Sequence, residues 1–402
     1  MLDRAVQAVY LQALDPVAES RADPNSYGFR RYRSTADALQ QCFIVLARRD
    51  SPQWVLEGDI EACFDHINHD WLLEHVPLAC SPLAAWLKAG YLERHVLHPT
   101  DEGTPQGGIV SPVLANLALD GLEARLAEAF PKGPGQTAKV NYVRYADDFI
   151  ITGGSRELLE EEARPVVEQF LRERGLRLSP TKTVITHIRD GFDFLGQNVR
   201  KYGGDPAELG SGKLLIRPAR KNVRTFLDGL RKLVKGHKQA TADHLVWLLN
   251  SRIAGWANHH RHVVSKATFA QVDHVVVRLL WWWAKRRHPE KPKAWIRAKY
   301  FTTQGGNRWV FYGTEIGKNG EKRQVLLRKA SATPIRRHVK VRNRFNPYDP
   351  EWQAYRSQRD RKGTREYPSQ GSKDNPAHEA WEPFRQAALK GIQERCSGEP
   401  RP

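Results

Sequence analysis

Two adjacent carboxylates, Asp147 and Asp148, interrupt an otherwise apolar stretch in YVRYADDFII, residues 142–151. Aromatic and β-branched residues flank the pair on both sides, which is typical of a buried strand rather than of a solvated turn. Neighbouring carboxylates repel each other and resist joint ionisation unless a cation neutralises them. Oxygen ligands of this kind suit magnesium, so the pair predicts a site that holds a divalent cation.

A third carboxylate, Asp59, ends the short apolar run WVLEGDI at residues 54–60, which predicts a strand. The runs around Asp147 and Asp148 predict two strands joined by a tight turn. A sheet that aligns these strand ends would bring three carboxylates to one edge. Two magnesium ions about 4 Å apart in such a site can activate a 3′-hydroxyl and stabilise a leaving pyrophosphate. Chance alone supplies about one Asp-Asp pair in a chain of this length, but such a pair belongs in a solvated turn.

Several further elements are predicted to position these acids. Residues 1–50 have helical periodicity that the loop RADPNSYGFRRYRS breaks, and a helix is expected from Thr35 to Arg49. EACFDHINHDWLLEHV is helical in pattern. GTPQGGIVSP, residues 103–112, reads as a loop, after which Ser111 can cap and Pro112 can begin a helix whose apolar stripe reaches Phe130.

The pattern changes along the second half of the chain. A charged amphipathic helix is predicted from Glu157 to Arg174, and FDFLGQNV predicts one strand. From about residue 226, two amphipathic helices rich in Trp, His and Arg follow, and the WWW run at 281–283 cannot lie wholly on one helical face. Residues 308–344 mix short β-like runs with Lys and Arg. Beyond Asn346 we expect a poorly ordered polar tail with room for one helix.

Charge divides the 402-residue chain into two unlike parts. Residues 1–196 contain 20 Lys and Arg against 28 Asp and Glu, a net charge of −8, whereas the remainder contains 43 against 17, a net charge of +26. Basic residues interleaved with Trp, Tyr and His favour a polyanionic partner, most simply nucleic acid. A membrane surface fits less well because the basic half has no long uninterrupted apolar face.

Cysteine spacing and hydropathy exclude other classes. The four cysteines lie far apart, so neither a disulfide framework nor a zinc site is indicated. No apolar run reaches about 18 residues and no signal peptide begins the sequence, so we expect a soluble intracellular protein.

Five blocks of the sequence resemble those of reverse transcriptases, in the same order. They are YGFRRYRSTADAL, VLEGDIEACFDHINHDWLL, GTPQGGIVSPVLANLALDGLE, YVRYADDFII and LRLSPTKTVITHIRDGFDFLG. The stretch from LLNSRIAGWANHH to KAWIRAKYF resembles the maturase domain, or thumb, of group II intron-encoded proteins. The resemblance covers about residues 1–345, and the ordered set is far more specific than any single block.

The resemblance implies roles for individual residues around the acids. Asp59, Asp147 and Asp148 match the catalytic acids, with Ile60 included in the metal-binding set. Phe64 matches the aromatic that excludes a ribose 2′-hydroxyl, and Gln106 and Gly107 match the loop beside the incoming nucleotide. Lys182 matches a lysine near the pyrophosphate, and the grip on the primer end is matched by Phe194, Leu195 and Gly196.

The maturase-like part carries the predicted contacts to RNA phosphates, namely Arg252, Arg261, His262, Lys285, Arg286 and Arg287. Each assignment has a structural alternative. For Phe64 it is a core side chain, for Gln106 and Gly107 an ordinary loop, and for Lys182 a surface lysine. For residues 194–196 it is an apolar strand, and for the basic residues a solvated helix face. An exposed indole of the WWW run could stack on a base or cap the core.

The sequence departs from the family at both ends. It opens after the upstream Lys and Arg that would hold the triphosphate, and Cys396 alone cannot form the Cys/His nuclease module of many relatives. We therefore expect an N-terminally truncated reading frame without the endonuclease. The alternative function is a catalytically impaired, truncated protein that acts only as an RNA-binding splicing maturase. A nuclease built on the same acids leaves the TPQGG loop unexplained.

The expected fold is α+β, a right-hand polymerase palm with partial fingers followed by a helical thumb and a basic segment. The expected domains are fingers and palm (1–200), a linker (201–225), the maturase or thumb domain (226–302), a basic DNA-binding-like segment (303–345) and the tail (346–402). The expected function is RNA-directed DNA polymerisation with a maturase role in splicing and mobility, using two Mg²⁺ ions. The expected partners are group II intron RNA, a DNA primer or target and deoxynucleoside triphosphates, with no membrane and with a homodimer left open. A cytoplasmic, nucleoid-associated ribonucleoprotein is the expected location.

Overall fold

The structure is a computed structural model that describes residues 2–93, 96–98, 100–105, 107–131, 133, 137–204, 212–316 and 320–363. Within those ranges no helix is both long and apolar enough to cross a membrane. The chain divides into two compact units. Of the described residues, those within 2–190 and 339–363 form the first unit, and those within 191–204 and 212–338 form the second unit.

The α-helices are, in chain order, α1 (Leu2–Arg21), α2 (Thr35–Leu46), α3 (Cys63–His66), α4 (His69–His75), α5 (Cys80–Leu87), α6 (Ser111–Leu119), α7 (Leu122–Ala129), α8 (Arg164–Arg172), α9 (Arg220–Gly236), α10 (Ala242–His260), α11 (Lys266–Arg287), α12 (Lys293–Tyr300) and α13 (Gln353–Gly363). A π-helical segment, Leu158–Ala163, leads into α8, and short 3₁₀ turns occur at Ala330–Ala332 and Pro350–Trp352.

The strands are β1 (Trp54–Asp59), β2 (Tyr91–Glu93), β3 (Val96–His98), β4 (Asn141–Tyr145), β5 (Asp148–Gly153), β6 (Val184–His187), β7 (Phe192–Phe194), β8 (Gln197–Tyr202), β9 (Lys213–Pro218), β10 (Phe301–Gln304), β11 (Asn307–Ile316) and β12 (Lys322–Leu326). In the first unit, β4, β5, β1 and β6 form an antiparallel sheet in the order β4-β5-β1-β6, and β2 pairs with β3.

The central strands of the first-unit sheet carry buried side chains on both faces. Phe149 and Ile151 join a core that also contains residues of α1, α6, α7 and α8. Ile150, which lies between them, is also fully buried, as are Val55 and Val143. Because successive side chains of a strand point to opposite faces, both faces of β5 are covered by protein. The sheet is therefore a rigid support for whatever its ends carry.

A buried ion pair fixes the edge strand β4. Arg144 on β4 is fully buried and bonds Asp120, whose side chain is 6% exposed. A second nitrogen of the same guanidinium donates to Asn116 Oδ1 at 3.1 Å. Burial raises the pKa of Asp120 to about 7 although Arg144 opposes that rise. Burial acts to lower the pKa of Arg144, but Asp120, Tyr142 and Asp23 together outweigh burial and raise that pKa, so the guanidinium stays charged.

A segment that follows the second unit in sequence returns to pack on the first. We call residues 339–363 the return segment. Val341 N donates to Asp37 Oδ1 at 2.8 Å, and Arg33 donates to the carbonyl oxygens of Asn343 at 2.9 Å and Phe345 at 3.3 Å. The expectation of poor order from residue 346 onward is corrected for the described part, because aromatic rings at 345, 352 and 355 pack together with centroids 5.0–5.8 Å apart.

The second unit contains two three-stranded sheets and a helical core. The sheets have the orders β7-β8-β9 and β10-β11-β12. Helices α9, α10, α11 and α12 supply most of the buried side chains, among them Leu230, Leu249, Phe269 and Leu280. Of the three successive tryptophans, Trp282 is 60% exposed and Trp283 is 5% exposed, which confirms that they do not share one face.

Four local predictions are corrected, each for a physical reason. Ser111 lies inside α6 and not at its N-cap, because its hydroxyl donates to Pro105 O at 2.8 Å. The predicted helix to Phe130 is broken in two at Gly121, whose φ is 98°. FDFLGQNV is a hairpin and not one strand, since Leu195 and Gly196 both have positive φ. The predicted linker 201–225 contains β9 and the start of α9.

The buried ion pair gives a stability prediction. Replacing Asp120 with Ala leaves the Arg144 charge buried without its partner, so the free energy of unfolding should fall by about 3–5 kcal/mol. Urea unfolding followed by circular dichroism measures the change.

The matched control is Glu168→Ala, which removes the partner of Arg164 in an exposed pair 2.8 Å long. Exposed pairs contribute about 0–1 kcal/mol, so this variant should unfold almost as the parent does. Equal losses in the two variants would show that the Arg144 pair does not hold the sheet edge.

Candidate active site

The three predicted acids lie at one edge of the central sheet. Asp59 and Asp148 are direct partners in the pairing of β1 with β5, so their side chains leave the same face. Asp147 lies in the two-residue turn between β4 and β5. Although Asp148 keeps an exposed surface, burial of its carboxyl and then the charges of Asp147 and Asp59 raise its pKa to about 6. Asp59 and Asp147 are therefore close enough to oppose the ionisation of Asp148.

Close backbone contacts shape the turn that carries the acids. Ala146, its first residue, has a φ of 58°, which is uncommon for a residue with a side chain. Gly28 packs against it so tightly that a Cβ at position 28 would lie 2.9 Å from Ala146 Cα and closer still to its nitrogen. On β1, a Cβ at Gly58 would lie 2.7 Å from Cε1 of Phe149. Glycine at these two positions therefore lets loop, turn and strand approach one another.

Lys182 bonds Asp59. Its ammonium lies 3.2 Å from Oδ1 and 3.1 Å from Oδ2 of that carboxylate. The hydrogen bond and the charge of Asp59 raise the pKa of Lys182. The loop reaches this position because Ser179 N donates to the main-chain oxygen of Asp59 at 2.8 Å and Glu61 N donates to Arg177 O at 3.1 Å.

The donor set fits a divalent cation in kind but not in its present arrangement. Three carboxylates at one edge supply hard oxygen ligands. Burial, and then the charges of Asp147 and Asp59, raise the pKa of Asp148, and a cation beside it would favour its charged form. Among the described residues, however, no group of three His, Cys, Asp or Glu side chains is placed so that it could hold a metal ion. Lys182 meanwhile engages Asp59. A cation at Asp59 would compete with the Lys182 ammonium for the same carboxylate oxygens.

The predicted nucleotide-binding residues lie on adjacent segments. Phe64 is half-buried on α3 and packs against the core of the first unit. The loop that follows β3 is fastened beside it, since Thr104 N donates to Phe64 O at 2.6 Å. Gly107 on this loop has a φ of 79° and open space where a Cβ would be. Gln106, the other predicted residue, lies outside the described residues.

The predicted primer-binding residues form the tip of the β7-β8 hairpin in the second unit. Leu195 has a φ of 50° and Gly196 has a φ of 76°, so the tip is a tight reversal. Ala219 N donates to Gly196 O at 3.1 Å, which ties the tip to the start of α9. Phe194 is 5% exposed and serves the local core of the unit.

The predicted RNA-binding residues differ in their surroundings. Arg252, Lys285, Arg286 and Arg287 are exposed, whereas Arg261 and His262 are half-buried. Arg287 donates to the carbonyl oxygens of Lys238 at 3.0 Å and Ala240 at 2.7 Å, so its guanidinium also stabilises the unit itself. Lys285 lies 5.5 Å from the ring centroid of the exposed Trp282. That pair presents both a cation and an aromatic face to solvent.

Arg252 lines an apolar groove of about 370 Å³ between α9 and α10. Phe226 and Trp256, which also line it, stack with ring centroids 4.6 Å apart. Trp256 Nε1 donates to Asn222 Oδ1 at 3.1 Å, and His260 Nε2 lies 3.1 Å from the same oxygen. Because an indole nitrogen can only donate, His260 must carry its proton on Nε2 and accept at Nδ1 from Gln197 Nε2, 2.7 Å away.

The residues that fix the backbone of the acid-bearing turn were not among those predicted from the sequence. Asn116 Nδ2 donates to Gly28 O at 3.0 Å and its Oδ1 accepts from Arg144, so this amide joins a helix, a loop and a strand. The one available signal was Arg144 itself, a charged residue within an apolar strand. Its partners lie on distant segments and have no pattern of their own.

Two family models match successive parts of the chain. Residues 1–199 match the family model described as reverse transcriptase (RNA-dependent DNA polymerase). Residues 223–301 match the family model described as group II intron, maturase-specific domain. The family of the first model generally uses divalent metal ions, and the second domain supports RNA binding.

Several known proteins are similar to part of this chain. Protein YkfC of Escherichia coli is 33% identical over 233 residues, which are 49% of this chain and 60% of that protein. The group II intron-encoded protein LtrA of Lactococcus lactis is 28% identical over 337 residues, 67% of this chain and 54% of that protein. The chain thus spans a little over half the length of these relatives. The structure of the apo telomerase of Candida tropicalis aligns with 74% of this chain and 51% of its own. The TM-score is 0.38 and the sequence identity is 11%.

The contact between Gly28 and Ala146 gives a second prediction. Gly28→Ala should lower the thermal midpoint by several degrees, because its Cβ would press into the backbone of the acid-bearing turn. Thermal unfolding followed by circular dichroism measures the shift.

Gly229→Ala is the matched control, since a Cβ there meets no atom within 4 Å on a helical backbone. That substitution should stabilise α9 by about 0.5–1 kcal/mol. A Gly28→Ala protein that melts no earlier than the parent would mean that the loop does not support the turn.

Proposed function

Because the chain belongs to the reverse transcriptases encoded by group II introns, we propose that it is an RNA-directed DNA polymerase that also assists intron splicing and mobility as a maturase. The observation that carries the polymerase function is the direct pairing of Asp59 with Asp148 beside the turn that holds Asp147. A structural protein gains nothing from three adjoining carboxylates at the end of a largely buried sheet. A phosphoryl-transfer site needs them.

We assign the α+β palm with partial fingers mainly to the first unit, and the thumb, or maturase domain, to the helices of the second unit. The sheet β4-β5-β1-β6 supports this assignment for the palm. The proposed domains run from 1 to 200 for fingers and palm and from 226 to 302 for the maturase domain. Residues 303–345 form the proposed basic segment that contacts DNA.

The proposed cofactor is a pair of Mg²⁺ ions, held by Asp59, Asp147 and Asp148 with Ile60 beside them. Ile60 has an apolar side chain, so its carbonyl oxygen is the group it can offer. When bound, such ions neutralise the triphosphate and activate the primer hydroxyl. A cation held by Asp59 would compete with the Lys182 ammonium for that carboxylate, and Lys182 would then be available to stabilise or protonate the leaving pyrophosphate.

The remaining predicted residues are proposed to orient the substrates. Phe64 excludes nucleotides with a 2′-hydroxyl, and Gly107, with Gln106 beside it, lets the loop backbone approach the incoming deoxynucleoside triphosphate. Phe194, Leu195 and Gly196 are proposed to grip the DNA primer end. The buried sheet keeps the acid turn rigid, so positioning and charge account for the rate acceleration.

The proposed RNA partner is a group II intron RNA, bound through the basic second unit. Residues after 196 carry a net charge of +26, which favours a polyanion. Arg252, Arg261, His262, Lys285, Arg286 and Arg287 are the proposed phosphate contacts. The proposed location is cytoplasmic, with the ribonucleoprotein associated with the nucleoid, and homodimerisation stays open.

One observation favours a second candidate function. Asp59 is bonded by Lys182, and the described side chains form no ready metal-binding group. A protein that binds intron RNA and supports splicing without polymerising would be compatible with that arrangement. The two candidates differ in whether the acids are needed for any activity.

Primer extension on an RNA template decides between them. The protein should extend a DNA primer with deoxynucleotides and Mg²⁺, and Asp147→Ala should reduce the rate by at least about 10³-fold because charge stabilisation is lost. Glu157→Ala, which removes an exposed acid elsewhere in the first unit, should leave the rate unchanged. RNA binding without any extension by the parent protein would establish the binding-only function instead.

The salt dependence of RNA binding tests the basic surface. Lys285→Ala and Arg286→Ala should each make the fall of log affinity with log salt shallower by about 0.7–0.9, because each variant loses one phosphate contact. Filter binding of a labelled group II intron RNA measures the slope. Arg231→Ala is the control, because Arg231 is already paired with Asp228 at 2.6 Å. An unchanged slope for Lys285→Ala and Arg286→Ala would show that the RNA does not bind at these two residues.

A further inference from the structure

The loop YGFRRYRS, residues 27–34, holds an aromatic side chain in an unfavourable conformation close to the acid turn. Phe29 is 51% exposed and has a φ of 58°, in the left-handed region that side chains disfavour. Neither burial nor backbone preference explains a phenylalanine here. Strain of this kind persists where the surroundings impose it, and it concentrates at functional sites.

Contacts on both sides of Phe29 impose its conformation. Before it, Gly28 is pressed against Ala146, Gly28 O accepts from Asn116, and Tyr27 N donates to Arg144 O at 2.9 Å. After it, the buried guanidinium of Arg30 bonds both carboxylate oxygens of Glu19, at 2.8 and 2.6 Å. The loop is therefore fixed by the same network that fixes the acid turn.

The ring that this loop presents meets Phe64. The centroids of Phe29 and Phe64 lie 6.1 Å apart with an interplanar angle of 82°, an edge-to-face contact. Phe64 sits on the four-residue helix α3, which is too short to hold an orientation by itself. The Phe64 ring packs against the core of the first unit, and Phe29, which is itself 51% exposed, adds a contact from outside that core.

We propose that Phe29 is a positioning residue that braces Phe64 and so sharpens the selection of deoxynucleotides over ribonucleotides. The inference rests on the proposed polymerase function and on Phe64 as the sugar filter. A steric filter rejects a 2′-hydroxyl only while its ring cannot retreat. The edge-to-face contact closes the direction in which the Phe64 ring could otherwise swing away from the core.

The test is the ratio of kcat/KM for a deoxynucleotide to that for the matching ribonucleotide in primer extension. Phe29→Ala should lower this ratio about two- to tenfold, the range expected for losing one aromatic contact, with the deoxynucleotide rate nearly unchanged. Phe29→Leu keeps the bulk of the side chain but not the ring, so its ratio should lie between those of the parent protein and Phe29→Ala. Thermal unfolding of each variant confirms that it is folded, as expected for an exposed position.

Tyr32→Ala is the matched control. Tyr32 is the other exposed aromatic of the same loop with positive φ, 62°, but its ring packs on Phe345 at 5.6 Å. Its loss should leave the discrimination ratio unchanged. If Tyr32→Ala lowers the ratio as much as Phe29→Ala does, the effect belongs to the loop as a whole and the brace is refuted.

A double-substitution cycle separates bracing from direct contact with substrate. In a Phe64→Ala background, Phe29→Ala should have no further effect on the ratio, because it acts through the missing ring. An additive effect would overturn the proposal in favour of a Phe29 that touches substrate itself. A parent protein that extends primers but whose ratio ignores Phe29 refutes this inference alone. A parent protein that extends no primer refutes the polymerase function, and the inference with it.

Discussion

Like charges opposite each other in neighbouring central strands are the constraint on which this molecule depends. Asp59 and Asp148 occupy paired positions of β1 and β5, and Asp147 adds a third carboxylate in the adjoining turn. Cross-strand like charges destabilise a sheet, and burial around Asp148 increases the cost. A chain can keep this arrangement only if the rest of the sheet is strongly fixed and a cation is at hand. In the structure that cation is the ammonium of Lys182.

The fixing comes from groups that never touch the acids. Arg144, Asp120 and Asn116 form a buried polar network behind β4, and the network continues to the loop at Gly28. Buried polar groups of this kind are expensive unless each is bonded, so they tolerate few alternative arrangements. The loop, the turn and the edge strand are therefore held as one body. Charge repulsion at the front of the sheet is balanced by specific pairing at the back.

Local patterns predicted the elements that carry the acids, and tertiary contacts decided the rest. The end of β1 at Asp59 and the tight turn at Asp147 follow from apolar runs bounded by acids, and both predictions are confirmed. Ser111 was wrongly assigned as an N-cap because its hydroxyl finds Pro105 O instead. The proximity of Phe29 to Phe64 could not be predicted, since it depends on Asn116 and Ala146, which are far away in sequence. Patterns report which residues are buried, but not which distant partner they meet.

The return segment has a consequence for the order in which the chain can fold during synthesis. Arg33 and Asp37 lie near the N-terminus, yet the main-chain groups that they bond belong to residues 341, 343 and 345. About three hundred residues must leave the ribosome before these bonds can form. The helical second unit, which is continuous from 212 to 338, is synthesised in full before the first unit receives its last piece. The part of the molecule that emerges first is thus the part completed last.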